Sequence, residues 1–305
     1  MIVVFGSINI DLVCRTDHHP RPGETVPGSD YQLIPGGKGA NQALAARRAG
    51  ANVAMVGAVG ADDMAAAALA ELTADGVDLG AVVTRGATTG MAIITVDRHG
   101  ENTIVLSPGA NARLKGEDLG AVRLGAGDIV LLQMEVPFAE SLAAAKAARA
   151  AGARIMLSIA PFLPIERAAL AAADIILVNE TEAADLARHL GLAPGRDGAA
   201  TVATLARDLG RTVIATLGGD GAVAATGTET IAVPALPVDP VDTTGAGDTF
   251  AGVLAAFMDE GASLAEAMRL AASAGSLACT RLGAQPSFPR RAEIDEAANQ
   301  DGALA

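Results

Sequence analysis

Asp128-Ile129-Val130-Leu131-Leu132, an alanine-rich run over 138–151, then Arg154-Ile155-Met156-Leu157-Ser158: from this stretch the fold follows. Short apolar runs without polar alternation suit strands buried on both faces, and the run between them is long enough for a crossover helix. Such a unit gives parallel pairing. The pattern recurs, with strands expected at 2–6, 53–58, 128–132, 154–158, 174–178 and 212–217. Helices are expected at 38–50, 62–75, 138–151, 181–190, 199–209, 246–260 and 264–281. The expected class is α/β: three layers, α/β/α, around a mostly parallel sheet that keeps its ligands at the carboxyl ends of the strands.

Two regions break the rhythm. Residues 10–35, around His18-His19-Pro20-Arg21-Pro22-Gly23, and residues 90–107, a hairpin turning at Arg98-His99-Gly100-Glu101, have no helix after them. They are expected to form a small β-sheet lid over the ligand edge, inserted into a single domain spanning 1–305. Residues 192–200 read as a connector and 299–305 as a frayed tail.

A net charge of −13 argues against nucleic acid or an anionic membrane as partner, and an aromatic content of 2% with no Trp argues against a base-stacking platform. No charge-free apolar run reaches the roughly 18 residues of a membrane helix. Ile2-Val3-Val4-Phe5-Gly6 reads as a core strand rather than a leader. Cys14, on the presumed lid, and Cys279 are too few and too far apart for a metal set, so a reduced, cytoplasmic setting is expected. His18, His19, His99 and His189 lack ligand spacing.

Chemistry collects where the expected strands end. In Asp242-Thr243-Thr244-Gly245-Ala246-Gly247-Asp248 two glycines precede an apolar run, 249–258. As a loop opening a helix, this aims backbone N–H groups and the positive helix end at one point, with Asp248 beside it as a base for a hydroxyl proton. An Asp on an ordinary glycine-rich helix start is the other reading. Gly36-Gly37-Lys38-Gly39-Ala40-Asn41 resembles a P-loop but has Gln32 where glycine is required and Gly39 after the lysine. No GxGxxG follows the first strand, which disfavours a dinucleotide. Lys38 and Asn41 on glycine-exposed backbone suit a polyol grip or a simple helix-start turn.

Asn9 and Asp11 alternate and so share one side of an extended segment, matching two neighbouring sugar hydroxyls or a solvated strand end. Glu135 ends a buried strand, at a site or where the strand surfaces. Asn179 and Glu182, at a helix start, suit a hydrated Mg²⁺ or the usual enrichment of acids there. Thr216-Leu217-Gly218-Gly219-Asp220-Gly221 suits a loop against a flat ligand or phosphates, and equally a hairpin. Five such clusters, beside the 242–248 segment, read jointly with it as one site at successive strand ends.

Taken in order, Gly36 to Asn41, Asn179-x-x-Glu182 and Asp242 to Asp248 resemble the marks of PfkB-type carbohydrate kinases. Gly6-Ser7-Ile8-Asn9-Ile10-Asp11, Pro22-Gly23-Glu24-Thr25-Val26, Gln133-Met134-Glu135 and Gly283-Ala284-Gln285-Pro286-Ser287 extend the likeness from residue 2 to about 295. Within the family they are most similar to the enzymes acting on D-ribose. The resemblance implies transfer of the ATP γ-phosphoryl group to the ribose 5-hydroxyl, with Asp248 as general base and Gly245, Ala246 and Gly247 as anion hole. It implies sugar contacts from Asn9, Asp11, Gly37, Lys38, Asn41, Glu135 and Asp248. The nucleotide would meet Asn179, Thr216, Leu217, Gly218, Gly219, Asp220, Gly221 and Gly247.

The same resemblance implies Mg²⁺ oriented by Asn179 and Glu182, largely through water. It further implies an activating K⁺ among Asp242, Thr244, Ala278, Arg281, Gly283 and Ser287, and a homodimer formed through the lid. Ser158 stands where relatives usually carry Asn or Asp, and Ala272 where His or Asn approaches adenine. Another sugar or a nucleoside as substrate, or a binding regulator without turnover, are the readings left beside it.

Overall fold

The computed structural model describes residues 1–302 and holds two sheets. In chain order the elements are β1 (Ile2–Phe5), β2 (Asn9–Arg15), β3 (Gln32–Gly36), α1 (Lys38–Arg48), β4 (Val53–Val59), α2 (Met64–Ala68), α3 (Ala70–Ala74) and β5 (Asp78–Thr84). There follow β6 (Gly90–Val96), β7 (Asn102–Ser107), β8 (Ile129–Leu132), α4 (Phe138–Ala150), β9 (Arg154–Ser158), α5 (Arg167–Leu170), β10 (Ile175–Asn179) and α6 (Glu180–His189). The chain ends with α7 (Gly198–Leu209), β11 (Thr212–Thr216), β12 (Ala222–Ala225), β13 (Thr230–Val233), α8 (Ala246–Asp259), α9 (Leu264–Ala278) and α10 (Arg291–Gly302).

The large sheet runs β13-β12-β11-β10-β9-β8-β1-β4-β5 and is parallel from β11 to β5; β12 and β13 add antiparallel at one edge. Its strands are apolar on both sides because both sides are covered. Ile2 and Val4 point into a core with α1, α8 and α9, while Val3 and Phe5 point into a second core with α4, α6 and α7. This is the three-layer arrangement expected. The small sheet, β3-β2-β6-β7, is built from the two regions that broke the rhythm, and β6 and β7 pair as the expected hairpin.

Some boundaries differ. The single helix expected over 62–75 is two short ones meeting at Leu69. β5 escaped notice because it is an edge strand bearing Asp78 and Gly80, so it lacks the continuous apolar run of the centre. The connector at 192–200 ends at Asp197, whose side chain accepts from the Ala200 N–H and caps α7. Where a loose tail was expected from 299, α10 continues to Gly302; residues 303–305 lie outside those described.

Candidate active site

Because β1, β8, β9, β10 and β11 are parallel, their carboxyl ends share one edge, where Ser158, Asn179 and Thr216 end their strands and Ser7 and Glu135 follow β1 and β8. Two cavities, about 370 and 270 Å³, open there and share Thr216, Thr243, Gly247 and Phe250. Lys38, Ser158, Asn179, Glu182 and Asp248 line the smaller. The larger is mostly apolar, lined by Gly218, Gly219 and Gly221 together with Leu236, Val238 and Ala272.

The N-terminus of α8 stands where the cavities meet. Gly245 caps it at φ +77°, and a Cβ there would lie 2.7 Å from the Phe288 ring, so only glycine fits. A Cβ on Gly247 would meet nothing within 4 Å; that space belongs to the cavity. Of the three amides expected to form an anion hole, that of Ala246 donates to the Thr243 carbonyl (3.2 Å). The N–H groups of Gly245 and Gly247 meet no protein acceptor among the described residues. Asp248 is 8% exposed; its Oδ2 accepts from Asn41 Nδ2 and its Oδ1 from Gln42 Nε2, both at 3.0 Å.

The glycine stretch before α1 has an internal occupant. The Lys38 amide and the Ser7 hydroxyl both donate to Glu135 Oε2 (3.0 and 2.7 Å), and the Gly39 and Ala40 amides are taken by Ser7. A Cβ on Gly37 or Gly39 would strike the backbone of Asn9 or Ser7 at 2.8 or 2.6 Å. These glycines serve a close approach that holds a protein carboxylate at the helix end, which is why the stretch fails as a phosphate loop. Asn9 is buried, and its Oδ1 accepts from Asn111 (2.7 Å), leaving Asn9 donor hydrogens for a ligand.

Four carboxylates, Asp11, Glu135, Glu182 and Asp248, surround Lys38. Burial, then the charges of Glu135 and Asp248, push Asp11 up to about 7 against the pull of Lys38. Asp248 and, after it, Glu135 raise the Lys38 ammonium above its ordinary value although burial opposes them. Burial raises Glu182.

Asn179 and Glu182 form a capping box, each side chain accepting the other's backbone N–H at 2.8 Å. One Glu182 oxygen remains for the cavity. Among the described residues no three His, Cys, Asp or Glu are placed to hold a metal, so a divalent ion here would depend on water and phosphate oxygens, which that oxygen suits. Asp242 accepts from Thr244 N–H and Oγ1 (2.9 and 2.6 Å) and from the Gly283 N–H (2.9 Å), tying the loop before α8 to residues 281–287. Burial works against its charge, but these bonds hold Asp242 below the usual carboxylate range. With that carboxylate occupied and the Arg281 guanidinium paired to Glu293, a monovalent ion would rely on backbone carbonyls such as Ala278 and on Ser287.

Leu217 and Asp220 do not line either cavity: Leu217 packs on the core beside Gly198, and Asp220 is exposed in the turn between β11 and β12. That segment is therefore a hairpin as well as a cavity wall. Ala272 and Ser158 both face cavities with small side chains. Sequence reasoning assigned no role to Gln42, Gln133, Gln285 or Asn111; the available signal was polar side chains inside otherwise apolar or alanine-rich surroundings.

A family model described as pfkB family carbohydrate kinase matches residues 1–291. The ribokinase of Haemophilus influenzae is 36% identical over 299 residues, covering 97% of each chain. Among solved structures, the ribokinase of Thermotoga maritima superposes with a TM-score of 0.89 at 34% identity, covering 98% of this chain and 99% of that one. The Arabidopsis thaliana ribokinase complexed with ribose and ATP gives 0.87 at 33%, covering 97% and 98%.

Proposed function

We infer, since the chain belongs to the pfkB family of carbohydrate kinases, that it transfers the γ-phosphoryl group of ATP to the 5-hydroxyl of D-ribose, giving D-ribose 5-phosphate and ADP. The observation that carries this reading is Asp248, buried beside the open Gly245 and Gly247 amides and lining the smaller of two adjoining cavities. Asp248 takes the proton of the primary alcohol as its oxygen attacks. The amides stabilise charge on the equatorial phosphoryl oxygens, and the positive end of α8 adds to them. Asp11 and Asn9 hold ribose hydroxyls, and Lys38 offsets negative charge at the junction. The larger, mostly apolar cavity takes the base and the glycine turn before β12 lies along the phosphates.

Glu182 and Asn179 would hold a Mg²⁺ through water, and the ion would supply charge neutralisation for the phosphates. The loop at 242–244 and residues 278–287 would hold a K⁺, which would supply rigidity to the amide donors. Pairing through the small sheet gives a homodimer. With both cysteines free, and no described helix long and apolar enough to cross a membrane, we place the protein in the cytoplasm.

The test is ADP release across ribose, deoxyribose, fructose and nucleosides, with and without K⁺. Ribose should give the highest kcat/KM, and Asp248→Asn should lower kcat by about 10²–10⁴, the range for a lost general base, with the fold retained. A different preferred acceptor would overturn the substrate, and near-normal turnover by the variant would overturn the mechanism.

A further inference from the structure

We propose that Gln42, Gln133 and Gln285 are positioning residues that clamp the Asp248 carboxylate through two converging amide arms, an inference that rests on Asp248 being the base. A carboxylate only accepts, so Asn41 and Gln42 must both turn their NH₂ groups to Asp248. Their carbonyl oxygens then face away, and a second amide meets each. Gln285 Nε2 donates to Asn41 Oδ1 at 3.1 Å, and Gln133 Nε2 donates to Gln42 Oε1 at 2.7 Å. The carboxylate thus dictates the orientation of every member.

Burial argues that this arrangement serves the site. Gln42, Gln133 and Gln285 are each 0% exposed, and the outer oxygens of Gln133 and Gln285 find no partner. Burying amides is unfavourable unless they are hydrogen-bonded, and an apolar side chain would fill these positions at less cost. Every satisfied end of the chain leads to Asp248. The Gln285 arm is anchored in turn: Arg48 donates to the Gln285 and Phe288 carbonyls (2.5 and 3.2 Å) while pairing with Asp75 and Glu71, both at 2.7 Å.

Two donors, one on each oxygen, fix the plane of the carboxylate and set a positive hydrogen end against each oxygen. That matters because its charged surroundings are mostly like-signed: Asp11 on β2, Glu135 after β8 and Glu182 on α6, against Lys38 on α1. A lone pair held toward the alcohol is what a base in this position requires.

The experiment measures the pH profile of kcat with ribose and MgATP, alongside thermal melting, for Gln133→Met, Gln42→Met and Gln42→Glu. Both Met variants remove a hydrogen-bonding amide at similar volume. Gln42→Met, which loses a charge-assisted bond to Asp248, should lower kcat about tenfold, and Gln133→Met, which loses only the amide–amide bond behind it, should lower kcat by less, with ribose KM little changed and the acid limb displaced upward in both. Gln42→Glu sets a second carboxylate against Asp248, so the pair shares a proton and the acid limb should rise by about one unit or more. Variants that melt lower yet keep kcat and the acid limb of the parent would overturn the clamp while leaving the base intact. A Gln42→Glu limb that does not move would overturn it even if the Met variants fail to fold. Full turnover by Asp248→Asn is the separate result that removes the base itself.

Discussion

Asp11 shows how the site's chemistry reaches back into stability. Its carboxyl stands at about 7 in the folded chain against an ordinary 3.8, chiefly through burial and then through Glu135 and Asp248. Between those values the folded state binds more protons than the unfolded one. The stability linked to Asp11 is therefore complete below the unfolded value and lost as pH rises through the folded value. Without ligands, Asp11→Asn should gain thermal stability relative to the parent as pH goes from 5 to 8. Melting curves at three pH values suffice, and a gap that stays constant would refute the assignment. Asp11, Asn9 and Asp248 were legible because their signals are local: alternation in a strand, or glycines beside an acid. Glutamines 42, 133 and 285 were not, because their partners lie 206, 91 and 244 positions away; Glu135 was legible as a strand end, but not its bond to Ser7 across 128 positions.

At the scale of elements the decisive contact is between α1 and α8. A Cβ on Gly252 would lie 2.4 Å from the Gln42 carbonyl oxygen and 2.8 Å from the Ala45 Cβ, so the two helices touch backbone to backbone. Gly252 sits one turn beyond Asp248, and the same close approach lets Asn41 and Gln42 reach that carboxylate. Alanine richness announced helices without saying which would meet, since small residues permit approach on any face. Gly252→Val should force α1 and α8 apart, destabilising the protein by about 1–3 kcal/mol, as overpacking does. It should also lower kcat although the residue touches no substrate. Unchanged melting and turnover in that variant would show that the approach is not tight.

For the whole molecule the problem is how a chain of net charge −13 holds a polyanion. Local dipoles at α8, Lys38 and added cations answer it inside the cleft, where the overall field counts for less. The small sheet poses the other whole-molecule question. Its register aligns Leu33, Leu12, Ile93 and Val105 in one row, with Leu33 38%, Ile93 43% and Val105 65% exposed. Every residue of β7, at the sheet's edge, is exposed. An unpaired apolar edge invites pairing with another chain, and a second copy offers a sheet of matching character. Sedimentation of the parent should therefore give a dimer. Ile93→Glu with Val105→Glu should give a folded monomer that melts somewhat lower than the parent, because it forgoes the stabilisation that pairing supplies. It should also bind ribose more weakly, since the strand that carries Asn9 and Asp11 would lose the packing that steadies it. A parent that sediments as a monomer at micromolar concentration, or a double variant that stays dimeric, would rule this face out as the interface.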